Sequence, residues 1–200
     1  MVTIIGSDEC LKGDTFGGIV VCAVWADESV RMQLAALGVK DSKLMSDTKI
    51  KAMAEKIRQL TKVSVVNMYP KEYNTEVLKY GIVEVMNKLH AKCINSLKGG
   101  IEMAVVDQYP GCRVDGAECY THAESKYVEV AAASVVARAE GLKQMRELSV
   151  WAGFKLPLGS THVLDALIKI REANKDFTEF AKIGFSNVKA VMTNAGAKRF

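Results

Sequence analysis

Two hundred residues suffice for one compact domain, and a chain of that size buries roughly 70% of its extended surface on folding. With 49% hydrophobic and 25% charged residues and three prolines, the composition excludes a disordered, collagenous or low-complexity protein. The net charge of +4 is too mild to name a polyanionic partner by itself. The apolar runs Ile19 to Ala26 and Val130 to Ala137 fall well short of the roughly 20 residues of a membrane span. The opening Met1-Val2-Thr3-Ile4-Ile5-Gly6 has no basic leader, so the sequence predicts a cytoplasmic, membrane-free protein. Five cysteines, odd in number and without a C-x-x-C pair, predict reduced thiols and no zinc site.

In chain order, the β-branched runs 2 to 8 and 17 to 26 predict two strands around the turn-rich stretch Glu9-Cys10-Leu11-Lys12-Gly13-Asp14. A helix is predicted from Ser46, because Ile50, Met53, Ile57 and Leu60 recur at helical spacing. Lys62 to Met68 reads as a short strand. Thr75 to Leu97 reads as one long helix, weakened at Gly81 and stopped by Gly99-Gly100. Met103 to Val106 is a short strand ending in Asp107, and Val114 to Tyr120 supplies another extended segment. The alanine-rich span Val128 to Leu148 predicts a helix able to approach a sheet closely. Three shorter helices follow at Ser160 to Arg171, Asp176 to Ile183 and Ser186 to Ala195. No linker or repeat interrupts the chain, so residues 1–200 read as a single α/β domain with a central mixed sheet, flanking helices and a helical C-terminal part.

Asp8, Glu9, Asp107 and Glu124 all fall at element ends, where a rigid scaffold presents catalytic groups. Adjacent carboxylates repel unless one is protonated or a cation intervenes. Carboxylates suit Mg²⁺ or Mn²⁺, and two such ions about 4 Å apart can hold a phosphodiester. The competing reading is a set of solvated strand ends, since 23 acidic residues always place some there. Trp25 and Trp151 read as packing residues, and His90 as a helix-surface or packing histidine.

The stretches Gly6-Ser7-Asp8-Glu9, Lys12-Gly13-Asp14-Thr15-Phe16-Gly17, Asp41-Ser42-Lys43-Leu44, Asp107-Gln108-Tyr109 and Ala123-Glu124-Ser125-Lys126-Tyr127, then Ala131-Ala132-Ala133-Ser134, resemble the ordered motifs of type 2 ribonucleases H. Pro70-Lys71-Glu72-Tyr73-Asn74, the pair Asn87 and His90, Leu156-Pro157-Leu158-Gly159 and Phe180-Ala181-Lys182-Ile183-Gly184-Phe185-Ser186-Asn187 make ribonuclease HIII the nearer branch, as does Glu124 where ribonuclease HII usually has Asp. The resemblance implies a ribonuclease H-like fold and a monomeric endonuclease cutting the RNA strand of RNA–DNA hybrids with two Mg²⁺ or Mn²⁺ ions, leaving 5′-phosphate and 3′-hydroxyl ends. It assigns Asp8, Glu9, Asp107 and Glu124 as catalytic metal ligands, with Lys12, Gly13, Ser42 and Lys43 lining the nucleic-acid path.

Leu11 stands where the family usually has glycine, Gly18 where proline is frequent, and His122 where a lysine often precedes the fourth acidic motif. The catalytic motif begins at residue 6, so the N-terminal substrate-binding domain common in ribonuclease HIII is not expected. The alternative reading is a catalytically impaired hybrid-binding protein of the same fold.

Overall fold

The computed structural model describes residues 2–39, 45–100 and 102–193. Five strands form one mixed sheet: β1 (Ile4–Cys10), β2 (Ile19–Ala26), β3 (Val63–Met68), β4 (Met103–Asp107) and β5 (Glu118–Tyr120), in the order β3-β2-β1-β4-β5. β1 pairs antiparallel with β2, from Ile4↔Ala26 to Cys10↔Val20, and parallel with β4, from Ile4↔Met103 to Ser7↔Val106. β4 continues parallel into β5. The two central strands are buried on both faces, which is why β2 reads as an unbroken apolar run and not as an alternation.

The helices are α1 (Glu28–Ala36), α2 (Asp47–Leu60), α3 (Pro70–Tyr80), α4 (Ile82–Asn95), α5 (Ala123–Lys126), α6 (Val128–Ala152), α7 (Leu164–Glu172) and α8 (Ser186–Thr193). Two begin on side-chain caps: the Asp27 carboxylate accepts from the Val30 amide, and the Ser46 hydroxyl from the Lys49 amide. The expected helix over 75–97 is two helices. Gly81 separates them with φ 79, a left-handed conformation that glycine adopts without a Cβ penalty. The second C-terminal helix expected, over 176–183, shrinks to a single 3-10 turn at Phe177–Glu179, and α1 falls in a stretch for which the sequence predicted no element.

The thiols are also corrected. Cys112 and Cys119 form a disulfide across the loop between β4 and β5, with Cα atoms 6.4 Å apart, while Cys10, Cys22 and Cys93 remain thiols. An odd count excluded a complete disulfide framework but not one local bridge between the two cysteines nearest in sequence.

The chain divides into two compact units. The first comprises Met1–Cys10, Val20–Val66 and Tyr80–Glu140, and contains β1, β4, β5, α1, α2, α4 and α5. Its core includes Ile4, Val105, Ala123 and Val130, with Met103, Tyr120 and Tyr127 packed against them. The second comprises Leu11–Ile19, Asn67–Lys79 and Gly141–Phe200. There Phe16 pairs with Ala181 in an isolated antiparallel bridge, and the Gly18 amide donates to Gln144 Oε1 at 2.8 Å. A proline at 18 would lose that donor, and a Cβ there would meet the Met68 carbonyl oxygen at 2.0 Å. Gly18 is therefore what lets the Met68 backbone approach.

In the first unit the start of α6 lies directly on β1. A Cβ on Gly6 would stand 2.4 Å from the Val130 amide nitrogen and 2.5 Å from the Glu129 carbonyl carbon, both backbone atoms that cannot rotate away. Gly6→Ala is therefore expected to cost about 3 kcal/mol through overpacking. Thermal unfolding would check it, and a Tm within about 1 °C of the parent would show that α6 can move off the strand.

Candidate active site

The strand register builds the site. Ser7 pairs with Val106, so the next step along the two parallel strands sets Asp8 beside Asp107, on chains about 4.8 Å apart. Successive side chains alternate faces. Asp8 shares the face of Gly6, the one covered by α6, and receives a hydrogen bond from the α6 hydroxyl of Ser134. Glu9 takes the opposite face, where its Oε2 lies 3.5 Å from Nε2 of His90 on α4. α5 carries Glu124, and the Ala123 amide at its start donates to Asp107 Oδ1 at 2.8 Å. The four acidic residues singled out from the sequence thus meet at the ends of β1 and β4 and the start of α5.

Their charges are costly together. Burial lifts the Asp8 carboxyl well above its ordinary range, and the neighbouring charges of Glu9 and Asp107 add to the shift; bonds from Ser134 and from the Glu9 amide at 2.7 Å oppose it. Asp107 is also raised, first by burial, while the Ala123 amide pulls the other way; a hydrogen bond and charge from Glu124, and the charge of Glu9, push it further up.

Glu9 lies beside groups to which the sequence assigned only packing or no role. His90 is fully buried, and its Nδ1 lies 2.8 Å from the Ser7 hydroxyl. That hydroxyl donates its one proton to the Cys22 carbonyl at 2.8 Å, so it accepts from His90 Nδ1–H, and the other ring nitrogen turns to Glu9. Tyr109 stacks on the imidazole at 5.4 Å between centroids and donates to Asn87 Oδ1 at 2.7 Å. Burial and the Glu9 charge together push the Tyr109 phenol up. The pair Asn87 and His90, three residues apart on one helix, was the available signal for this support.

Among the described residues no group of three or more His, Cys, Asp or Glu side chains is arranged to hold a metal ion as it stands. The acidic groups are drawn together in pairs instead, Asp107 with Glu124 and Glu9 with His90. The donor chemistry nevertheless fits a divalent cation: four carboxylates, coupled through Asp8 and Asp107, whose mutual repulsion an oxygen-seeking ion removes.

Of the expected nucleic-acid contacts, Lys12 is half-buried and Gly13 exposed, at a tight turn closed by the Asp14 amide donating to the Leu11 carbonyl at 3.1 Å. This turn belongs to the second unit. Leu11 begins it at φ 67 with its side chain buried, so a left-handed conformation is kept where glycine was expected. Ser42 and Lys43 lie outside the described residues. His122 is exposed, at φ 53. Trp151 is 55% exposed and stands 5.8 Å from the Tyr69 ring, a packing contact at the edge and not in the core.

Comparison with known proteins follows the same residues. Residues 5–188 match the family model for ribonuclease HII. Ribonuclease HIII of Limosilactobacillus fermentum is 32% identical over 92% of this chain and 67% of its own length. That of Geobacillus kaustophilus is 35% identical over 96% of this chain and 68% of its own. The crystal structure of Bst-RNase HIII in complex with Mn²⁺ superposes with a TM-score of 0.86, at 30% identity, covering 98% of this chain and 71% of that one. The mixed sheet with flanking helices is thus a ribonuclease H-like fold.

The raised carboxyls carry a stability consequence. An acid whose folded pKa lies above its unfolded value stabilises the fold below the unfolded value, near 3.8 here, and that contribution is lost as pH rises through the folded one. Stability of the metal-free protein should fall over that window. Asp8→Asn, which removes the most buried of these charges, should raise the metal-free Tm at pH 7 by roughly 2–4 °C, the response of a chain this size to about 1 kcal/mol. Calorimetry in EDTA measures it; a lower Tm in the variant would mean that the Asp8 charge is compensated by the protein alone.

Proposed function

Since the chain belongs to the ribonuclease HII family, we propose that it is an endonuclease that cuts the RNA strand of RNA–DNA hybrids, using Asp8, Glu9, Asp107 and Glu124 to hold two divalent ions, Mg²⁺ or Mn²⁺. The observation that carries the proposal is the placing of Asp8 beside Asp107 at the ends of two parallel strands, with Glu9 and Glu124 coupled to them. When bound, the two ions supply activation of the attacking water and neutralisation of charge at the leaving oxygen, leaving 5′-phosphate and 3′-hydroxyl ends.

The protein's own groups supply position. Asp8 is oriented by the Ser134 hydroxyl and the Glu9 amide, and Asp107 by the Ala123 amide, while Glu9 lies beside the imidazole that Ser7 fixes. The hydrogen bonds stiffen Asp8 and Asp107 before substrate arrives. Lys12 and Lys43 bring countercharge to the phosphates, which positions a duplex without reading its sequence. The backbone at Gly13, where a Cβ would meet nothing within 4 Å, leaves room for close approach of a ribose, whose 2′-hydroxyl distinguishes RNA from DNA.

A hybrid-binding protein without cleavage is the competing reading, and the left-handed Leu11 is the observation on its side, because a Cβ there stands where glycine gives the turn most freedom. One assay separates the two: labelled all-RNA/DNA hybrid, a duplex with a single ribonucleotide, and plain DNA, each incubated with Mg²⁺, Mn²⁺ or EDTA. The endonuclease reading expects cutting of the hybrid, none of plain DNA, and none in EDTA. Asp8→Asn should lower the rate by at least on the order of 10³ while hybrid binding persists. Retained turnover in that variant would contradict the assignment, and binding with no metal-dependent product in the parent would establish the competitor.

A further inference from the structure

Within the second unit, one buried cation serves no residue of the acidic cluster. Lys182 has no solvent exposure, yet its ammonium donates to three backbone carbonyls of a single segment: Leu11 at 2.8 Å, Asp14 at 2.6 Å and Gly17 at 3.0 Å. Three acceptors take three protons, so the side chain is the ammonium and each of its donors is used. Burial of such a charge is tolerated only where its hydrogen-bonding capacity is met, and the rings of Tyr73 and Phe185, at 5.3 and 5.6 Å, add their faces.

The segment it grips is the turn carrying Lys12 and Gly13. Further bonds of the segment include the Thr15 amide to the Gly159 carbonyl at 3.0 Å, the Lys182 amide to the Thr15 carbonyl at 3.0 Å, the Gly17 amide to the Phe180 carbonyl at 3.0 Å, the Gly159 amide to Asp14 Oδ1 at 2.6 Å, and the Asn187 amide group to the Thr15 hydroxyl at 2.9 Å. The Leu11 carbonyl accepts from both the Asp14 amide and the Lys182 ammonium. Leu11 lies at φ 67, a conformation that strains a residue with a Cβ and persists only where surrounding contacts over-determine it. A trans peptide points its C=O and the following N–H in opposite directions, so fixing the Leu11 carbonyl inward on Lys182 also fixes the Lys12 amide outward.

We propose that Lys182 is a positioning residue for substrate recognition: its ammonium gathers the Leu11, Asp14 and Gly17 carbonyls and so holds the Lys12–Gly13 edge in the shape that accepts the ribose-phosphate backbone of the RNA strand. The proposal rests on the functional reading above, in which that edge contacts the hybrid. It predicts a division of labour that a generally stabilising lysine would not produce, because the residue acts on binding and leaves the carboxylates untouched.

The test compares the parent with Lys182→Met, which keeps the length of the side chain and removes its donors, and with Lys182→Gln, which keeps an amide in the same space. Hybrid affinity is read by fluorescence anisotropy in EDTA, Mn²⁺ affinity by electron paramagnetic resonance, and the saturating single-turnover rate by quenched flow. Amide hydrogen exchange over residues 11–18 reports the turn directly. The expected result is that Lys182→Met weakens hybrid binding about tenfold and speeds exchange across the turn, while Mn²⁺ affinity and the saturating rate stay within about threefold; Lys182→Gln falls between. Unchanged hybrid affinity in either folded variant overturns the proposal, as does a loss confined to Mn²⁺ affinity or rate. Should Lys182→Met not fold, Lys182→Gln decides alone. A parent protein that binds hybrid but is indifferent to these substitutions refutes the role of Lys182 only; a parent that neither binds nor cuts hybrid refutes the functional reading beneath it.

Discussion

The constraint on which the site depends is the mutual repulsion of carboxylates that the strand register forces together. Parallel pairing of β1 with β4 leaves no choice about the neighbours of Asp8: one residue beyond Ser7↔Val106 the two aspartates stand side by side. Burial then withdraws the water that would screen them, and the carboxyls of both respond by favouring the protonated form. A fold that only needed stability would place apolar side chains there, as it does at Ile4 and Ile5 of β1 and at Met103 to Val106 of β4. On the proposed function the acidic cluster is stability given up for chemistry, and a divalent cation would turn that repulsion into ligation.

The surroundings are built to keep the cluster crowded. Gly6 lets the backbone of α6 descend onto β1, and the alanines at 131–133 keep the start of that helix slim, so that Ser134 reaches Asp8. On the other face a chain of contacts runs from the Cys22 carbonyl through Ser7 and His90 to Glu9, closed from the side by Tyr109 and Asn87. On the first face hydrogen bonds orient one carboxylate, and on the second an imidazole lies beside its neighbour. In the second unit a different cation, Lys182, donates to three backbone carbonyls.

Much of this was legible in the amino-acid sequence, and the failures have physical causes. The strands and the acidic residues at their ends could be read because β-branched runs and turn residues are local signals, and the ordered motifs carried the family. The helix over 75–97 was misjudged because its apolar stripe continues in register across Gly81, and only the positive φ there shows the break. α1 escaped notice although Asp27 caps it, since only Val30 and Leu34 on it are buried and its periodic signal is faint. The disulfide depends on where a loop brings two thiols, which periodicity does not encode. His90 and Lys182 were visible as motif residues but not as parts of a mechanism. Their roles lie in partners 83 positions away for Ser7 and 165 to 171 positions away for the turn carbonyls.

The departures at Leu11 and Gly18 were likewise opaque from composition. In the fold, the strain of one is held by a buried ammonium, and the other makes room for the Met68 carbonyl. The account as a whole stands on the claim that the acidic cluster is a divalent-cation site. Anomalous diffraction from crystals of the protein grown with Mn²⁺ and an uncut hybrid tests that most directly. The account predicts two Mn²⁺ peaks, both ligated by Asp8 and shared among Glu9, Asp107 and Glu124. Mn²⁺ found only away from Asp8, with the four carboxylates still paired among themselves and with His90, would contradict it.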